Sequence, residues 1–198
     1  MDKLLYKMQR HFSPHHILLG AARHSLNGCK DKTLGCSYNR LMAITFSAIA
    51  VEAMANSFGD RFIDDWASHE YDTTVEKVKL LNSHLKVTAD FQKEPWAAVS
   101  WLARYRNDVV HAKPEFLESE HIIPEFVYEK KKRTHSLADI EKQATYGNAA
   151  RCVGSVGDLL YIWCDHIDPY EWEGLFSDGW SGSTETINES SESGSEGH

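Results

Sequence analysis

The chain has 198 residues, 42% hydrophobic and 25% charged, enough for one domain with a real core, and its longest apolar runs are short and broken by charge. A soluble, cytoplasmic protein without signal peptide, membrane span or membrane partner is therefore expected, and the four cysteines, which form no CxxC pair, are expected to be reduced thiols. The net charge of −8 would argue against a nucleic-acid partner if it were spread evenly, but residues 171–198 hold seven acids and no Lys or Arg, which leaves 22 acids against 21 bases in residues 1–170.

In chain order, residues 2–12 place Leu4, Leu5, Met8 and Phe12 at helical spacing and predict a short amphipathic helix. Ser13 and Pro14 then open a second helix running to about Leu26. His11, His15, His16 and His24 crowd this region near Cys29 and Cys36, but no pair has the spacing of a zinc knuckle, so no metal site is expected. Residues 27–36 read as a loop from their glycines and polar run.

Residues 37–57 give the strongest helical pattern. Tyr38, Leu41, Met42, Thr45, Ile49, Ala53 and Asn56 mark an inward stripe, and five alanines permit close packing. Glu52 borders that stripe, either as a flank residue reaching water or as a partner for a cation on another helix. Residues 59–73 suit a loop with one helical turn. Thr73 and Glu76 then form a capping box for a helix carrying Val75, Val78, Leu81 and Leu85.

Pro95 suits the first turn of the next helix, which Pro114 must follow. Val99, Leu102, Arg106, Val109 and Val110 share one face of it, so Arg106 interrupts an apolar stripe and needs a partner, a route to water or a cleft. His111 lies five residues on, roughly 140° round a straight helix from Arg106. The two meet on one atom only if the helix bends or a second chain supplies one of them. Residues 115–135 form an insert that Pro124 keeps from being one helix and that is long enough for an arm or lid. It includes Lys130, Lys131, Lys132 and Arg133, the one dense basic run, more often a solvated loop than a phosphate track. The last helix is predicted from about Ser136 to Ile167, with a kink or break near Gly147. Cys164 at its end is a packed or surface thiol, since a helix C-terminus raises a thiol pKa. Trp172, Phe176 and Trp180 can dock on the body, and residues 181–198 predict disorder.

Arg106-Asn107, three further residues and His111 form an RNxxxH pattern at the end of the third helix of a helical domain. With Leu102 before it, Pro114 after it and Val75–Leu81 upstream, the segment 37–167 resembles the HEPN superfamily, whose active members are metal-independent ribonucleases. The resemblance implies an all-α, up-and-down four-helix bundle over residues 37–170, and the residues outside it read as an N-terminal helical extension (1–36) and an acidic, mostly disordered C-terminal tail (171–198). It implies catalytic roles for Arg106, Asn107 and His111, support from Glu52 and Asp108, and RNA contacts from Lys113, Lys130, Lys131, Lys132 and Arg133, with no metal or other cofactor. RNA substrate, a homodimer with the motif at its cleft, and an antitoxin or antiviral-defence partner complete the expectation. The alternatives are a catalytically silent RNA- or protein-binding module, or a scaffold in which Arg106 merely pairs with Glu52 and His111 caps the helix.

Overall fold

The computed structural model describes residues 3–29, 35–118, 120, 122, 124–125, 127, 136–172, 175 and 179–187. The protein is mostly helical, as the periodicities predict. In chain order come strand β1 (Lys3–His11), helices α1 (Pro14–Asn27) and α2 (Cys36–Phe62), and a 3-10 turn (Trp66–His69). Helices α3 (Thr74–His84), α4 (Trp96–Val110), α5 (Asp139–Gln143) and α6 (Tyr146–Cys164) follow, then a second 3-10 turn (Pro169–Glu171) and strand β2 (Gly179–Ile187).

Helix α2 is the axis of the body: α1, α3, α4 and α6 all pack on it, and α6 also touches α1 and α4. Its buried face consists of Ala43, Ile44, Ser47, Ala48, Ala50, Val51, Met54, Ala55, Phe58 and Gly59. This corrects the inward stripe expected from spacing, because Tyr38, Met42 and Ile49 are exposed. The small residues of that face let neighbouring backbones approach an axis covered on several sides, and Ile44, Val51, Met54 and Phe58 fill the spaces between them. Phe58 and Trp163 meet at its centre with ring centroids 5.1 Å apart, and the Trp163 indole N–H donates to Asn82 Oδ1 at 2.8 Å. A Cβ on Gly59 would run into the Trp66 ring, so that glycine seats the first 3-10 turn against α2.

Local signals hold where they are local. The capping box at Thr73 is formed, with Thr73 N–H donating to Glu76 Oε2 at 2.9 Å and Glu76 N–H to Thr73 Oγ1 at 3.3 Å. The expected last helix is broken at Ala144–Thr145, just before Gly147, where Thr145 Oγ1 accepts from Asn148 N–H at 3.1 Å and restarts the helix.

Both chain ends differ from expectation. Residues 3–11 form a strand, not a helix, and residues 179–187 form its antiparallel partner where disorder was expected from 181. The reason is non-local pairing, which a local reading of hydrophobic spacing cannot see. Between body and ribbon the chain is pinned at Leu175, whose carbonyl accepts from His15 Nε2 at 2.8 Å and His16 Nε2 at 2.7 Å. Trp172 docks as expected, its indole N–H on the Cys164 carbonyl at 3.1 Å.

Two outcomes test this packing. Gly59→Ala is expected to cost about 1–3 kcal/mol in urea unfolding, because strain against Trp66 outweighs the gain in helix propensity. Burial pushes Cys164 up to about 11 and Cys152 up to about 12, and also raises Tyr105, whose hydroxyl donates to the Ile140 carbonyl, to about 12. The folded state thus favours the protonated forms. Its stability is complete below the unfolded thiol range and falls as pH climbs towards 12, and Cys164→Ala is expected to flatten the earliest part of that decline in urea midpoints.

Candidate functional site

Helix α4 buries Trp96, Ala98, Val99, Leu102 and Tyr105, then runs past the edge of the body. Val109 is half-buried and Val110 is 65% exposed, so the apolar stripe does not enclose Arg106. The Arg106 side chain is 44% exposed, and its Nη2 lies 3.4 Å from Glu52 Oε2 on α2. Glu52, with its side chain 29% exposed, therefore faces the guanidinium rather than only water. At 3.4 Å this is an ion pair more than a strong hydrogen bond. On its other side Arg106 Nη1 reaches Asn107 Oδ1 at 3.5 Å, the outer limit of a hydrogen bond.

His111 is the C-cap of α4. Its backbone N–H donates to the Asn107 carbonyl at 2.9 Å, which leaves the side chain at the exposed helix end. Among the described residues the imidazole has no hydrogen-bond or ion-pair partner, and it is not brought against Arg106. The five-residue separation explains this, because helix α4 stays regular to Val110 and gives no bend before Pro114. Asp108 and Lys113 are exposed on either side of His111. Lys130, Lys131, Lys132 and Arg133 lie outside the described residues.

Spacing did not reveal a pocket of about 650 Å³ next to this ion pair. Glu52 forms part of its wall with Pro14, Asp60, Trp66 and Lys77. Lys77 is 2% exposed, and its ammonium is held by Asn56 Oδ1 at 3.0 Å and the Glu70 carbonyl at 2.9 Å, 6.0 Å from the Trp66 ring centroid. Two strong oxygen acceptors and an aromatic face stabilise a charge that would otherwise be costly to bury. Lys77 precedes the apolar position Val78 on α3, and nothing in the spacing marks it as internal. The outward side of α2 carries the exposed apolar residues Tyr38, Met42 and Ile49, of which Ile49 is one turn from Glu52.

Other chemistries find less footing. Burial pushes the Cys152 and Cys164 thiols well above neutrality, which disfavours the thiolate a nucleophile needs. Among the described residues no three His, Cys, Asp or Glu side chains converge as a ligand set for a metal ion. Helix α2 is long and apolar enough to cross a membrane, yet half of its most apolar stretch is buried against the rest of the protein. Comparison with protein-family models, curated proteins and solved structures found no match.

If the Glu52–Arg106 contact is a rim ion pair, Glu52→Ala is expected to change stability by less than about 1 kcal/mol, read as the shift in urea midpoint at constant m. A larger loss would mark Glu52 as a structural residue of the α2–α4 contact.

Proposed function

We propose that the protein is a metal-independent endoribonuclease of HEPN type, with its helical body an up-and-down bundle of that superfamily. The observation that carries the reading is the Arg106 guanidinium at the end of α4, held by Glu52 at 3.4 Å yet 44% open to solvent, with Asn107 and His111 on the same exposed helix end. A permanently charged planar fork that is oriented but not consumed by its partner is suited to phosphate oxygens. RNA carries its own nucleophile, the 2′-hydroxyl, so proton transfer and charge stabilisation suffice for cleavage.

In this reading the 2′-oxygen attacks phosphorus and the bond to the 5′-oxygen breaks. One His111 accepts the 2′-hydroxyl proton, and a second, from another copy of the chain, protonates the leaving 5′-oxygen. Arg106 and Asn107 bind the non-bridging oxygens, whose negative charge grows in the transition state. The products are a 2′,3′-cyclic phosphate and a 5′-hydroxyl. Asp108 would support the helix end, and Lys113 would contact a flanking phosphate. Two features favour a composite site in a homodimer: a single chain leaves Arg106 and His111 apart, and Ile49, one turn from Glu52, and Val110, one turn from Arg106, expose apolar surface. A cytoplasmic role in toxin–antitoxin or antiviral defence fits such an activity.

Incubation of the purified protein with mixed RNA in EDTA tests the reading. Cleavage is expected to persist, leave cyclic phosphate ends, and fall by at least about 100-fold in Arg106→Ala and in His111→Ala. A folded wild-type dimer that binds RNA without cutting it would replace the enzyme with a binding module. A strict monomer that still cuts would sink the composite site.

A further inference from the structure

The acidic character of the chain is absent from its first described segment. Residues 3–29 contain Lys3, Lys7, Arg10 and Arg23 and no Asp or Glu, in a sequence of net charge −8. Much of this basic stretch is β1, which pairs with β2 in the register Tyr6↔Thr184, Lys7↔Ser183 and Met8↔Gly182. All described side chains of the ribbon, residues 5–10 and 181–185, are exposed, so over these residues the body covers neither face. Glu185, opposite Leu5, is the one acid among those side chains.

Side chains alternate across a strand, so Tyr6, Met8 and Arg10 share one face while Leu5, Lys7 and Gln9 share the other. Tyr6 lies across the ribbon. A Cβ on Gly182 would stand in ordinary contact, 3.4 Å from its hydroxyl and 3.5 Å from its ring, so the tyrosine rests close over the partner strand and a branched side chain there would meet it. Tyr6 nevertheless stays 62% exposed. Towards the body, the Arg10 guanidinium stands 4.9 Å from the Phe12 ring centroid, and Phe12 is 51% exposed. Two residues later Pro14 joins Glu52 in the wall of the pocket beside Arg106.

We propose that the β1–β2 ribbon is a single-stranded RNA-binding arm, in which a base stacks on Tyr6, Arg10 on the same face holds a phosphate towards the Arg106 site, and the long Lys7 side chain reaches the backbone from the opposite face round the open β1 edge. An open aromatic face beside cations is the combination that holds single strands without reading their sequence. A membrane surface fits less well, because insertion needs one contiguous apolar face with cations at its rim, and here each face mixes apolar and polar residues. The proposal deepens the ribonuclease reading by naming a second contact for the same substrate, but binding at the arm does not require cleavage.

The test is fluorescence anisotropy of a labelled oligouridylate with the full chain carrying His111→Ala, in EDTA, over a range of salt. Tyr6→Ala is expected to weaken binding about tenfold, Tyr6→Trp to retain it, and Gly182→Val, which displaces the ring, to reproduce the Tyr6→Ala loss. Lys7→Glu is expected to weaken binding and to flatten the salt dependence by about 0.7 in log–log slope, one phosphate contact. The melting of the helical body, followed by circular dichroism, stays unchanged in all four. Unchanged RNA affinity in both Tyr6→Ala and Lys7→Glu would overturn the arm. So would the finding that these variants lose only co-sedimentation with phosphatidylglycerol vesicles, in favour of a membrane contact. Cleavage absent but binding ribbon-dependent sinks the nuclease alone, and cleavage present with ribbon-independent binding sinks the arm alone.

Discussion

The close approach of four helices to α2 is the constraint on which the rest of the structure depends. A helix covered on several sides can accept its neighbours only where side chains are small, and Ala43, Ala48, Ala50, Ala55 and Gly59 supply those positions. Ile44, Val51, Met54 and Phe58 fill the spaces between them on the same buried face. Tyr38, Met42 and Ile49 lie exposed on the opposite side of the helix, and Glu52 lies on this outward side. One packing requirement thus decides both where the core sits and which face carries Glu52 to Arg106. Gly59 extends it to the pocket, since Trp66 reaches the pocket wall by lying where a side chain on that residue would be.

The parts of the fold legible in the sequence were those whose cause is local. The Thr73–Glu76 box opens α3, Pro95 and Pro114 bracket α4, and the Thr145 cap breaks the last helix next to a residue already suspect for its glycine. The parts that escaped have distant causes. Residues 3–11 satisfy a helical period through Leu4, Leu5 and Met8 and a strand period through Leu4, Tyr6 and Met8, and the choice is made by residues 179–187. Those are rich in Ser, Thr and Gly, which reads as a tail until a partner strand is supplied. Which face of α2 turns inward also has a distant cause, since apolar residues lie on both sides of that helix and the neighbours that pack on it choose Ile44, Val51, Met54 and Phe58 over Tyr38, Met42 and Ile49.

At the site, the Glu52–Arg106 pair is one of two alternatives that the sequence leaves open, since Glu52 borders the stripe of its helix either as a flank residue reaching water or as a partner for a cation, and the structure has it facing the guanidinium on the apolar stripe of α4. The stripe itself was less apolar in context than in sequence, because α4 outruns the body before its last turn. The angular separation of Arg106 and His111 was also legible, and it persists, because α4 stays regular until His111 closes it. Lys77 was not. Its burial is created by Asn56 on α2 and the Glu70 carbonyl after the 3-10 turn, acceptors that no spacing rule on α3 can see.

The double hold of His15 and His16 on the Leu175 carbonyl bears on the order in which the chain folds. Pairing β1 with β2 directly from an open chain closes a loop spanning most of the sequence, whereas after Leu175 has docked only a few residues on each side remain to be fixed. The difference in closure entropy is roughly 3 kcal/mol, several times the worth of a marginal two-stranded ribbon's single pairs. The ribbon therefore zips last, onto a body that is already formed, and opens first. Its opening is a local fluctuation that leaves the helices intact, so backbone amides of β1 exchange with solvent on a faster clock than those of α2.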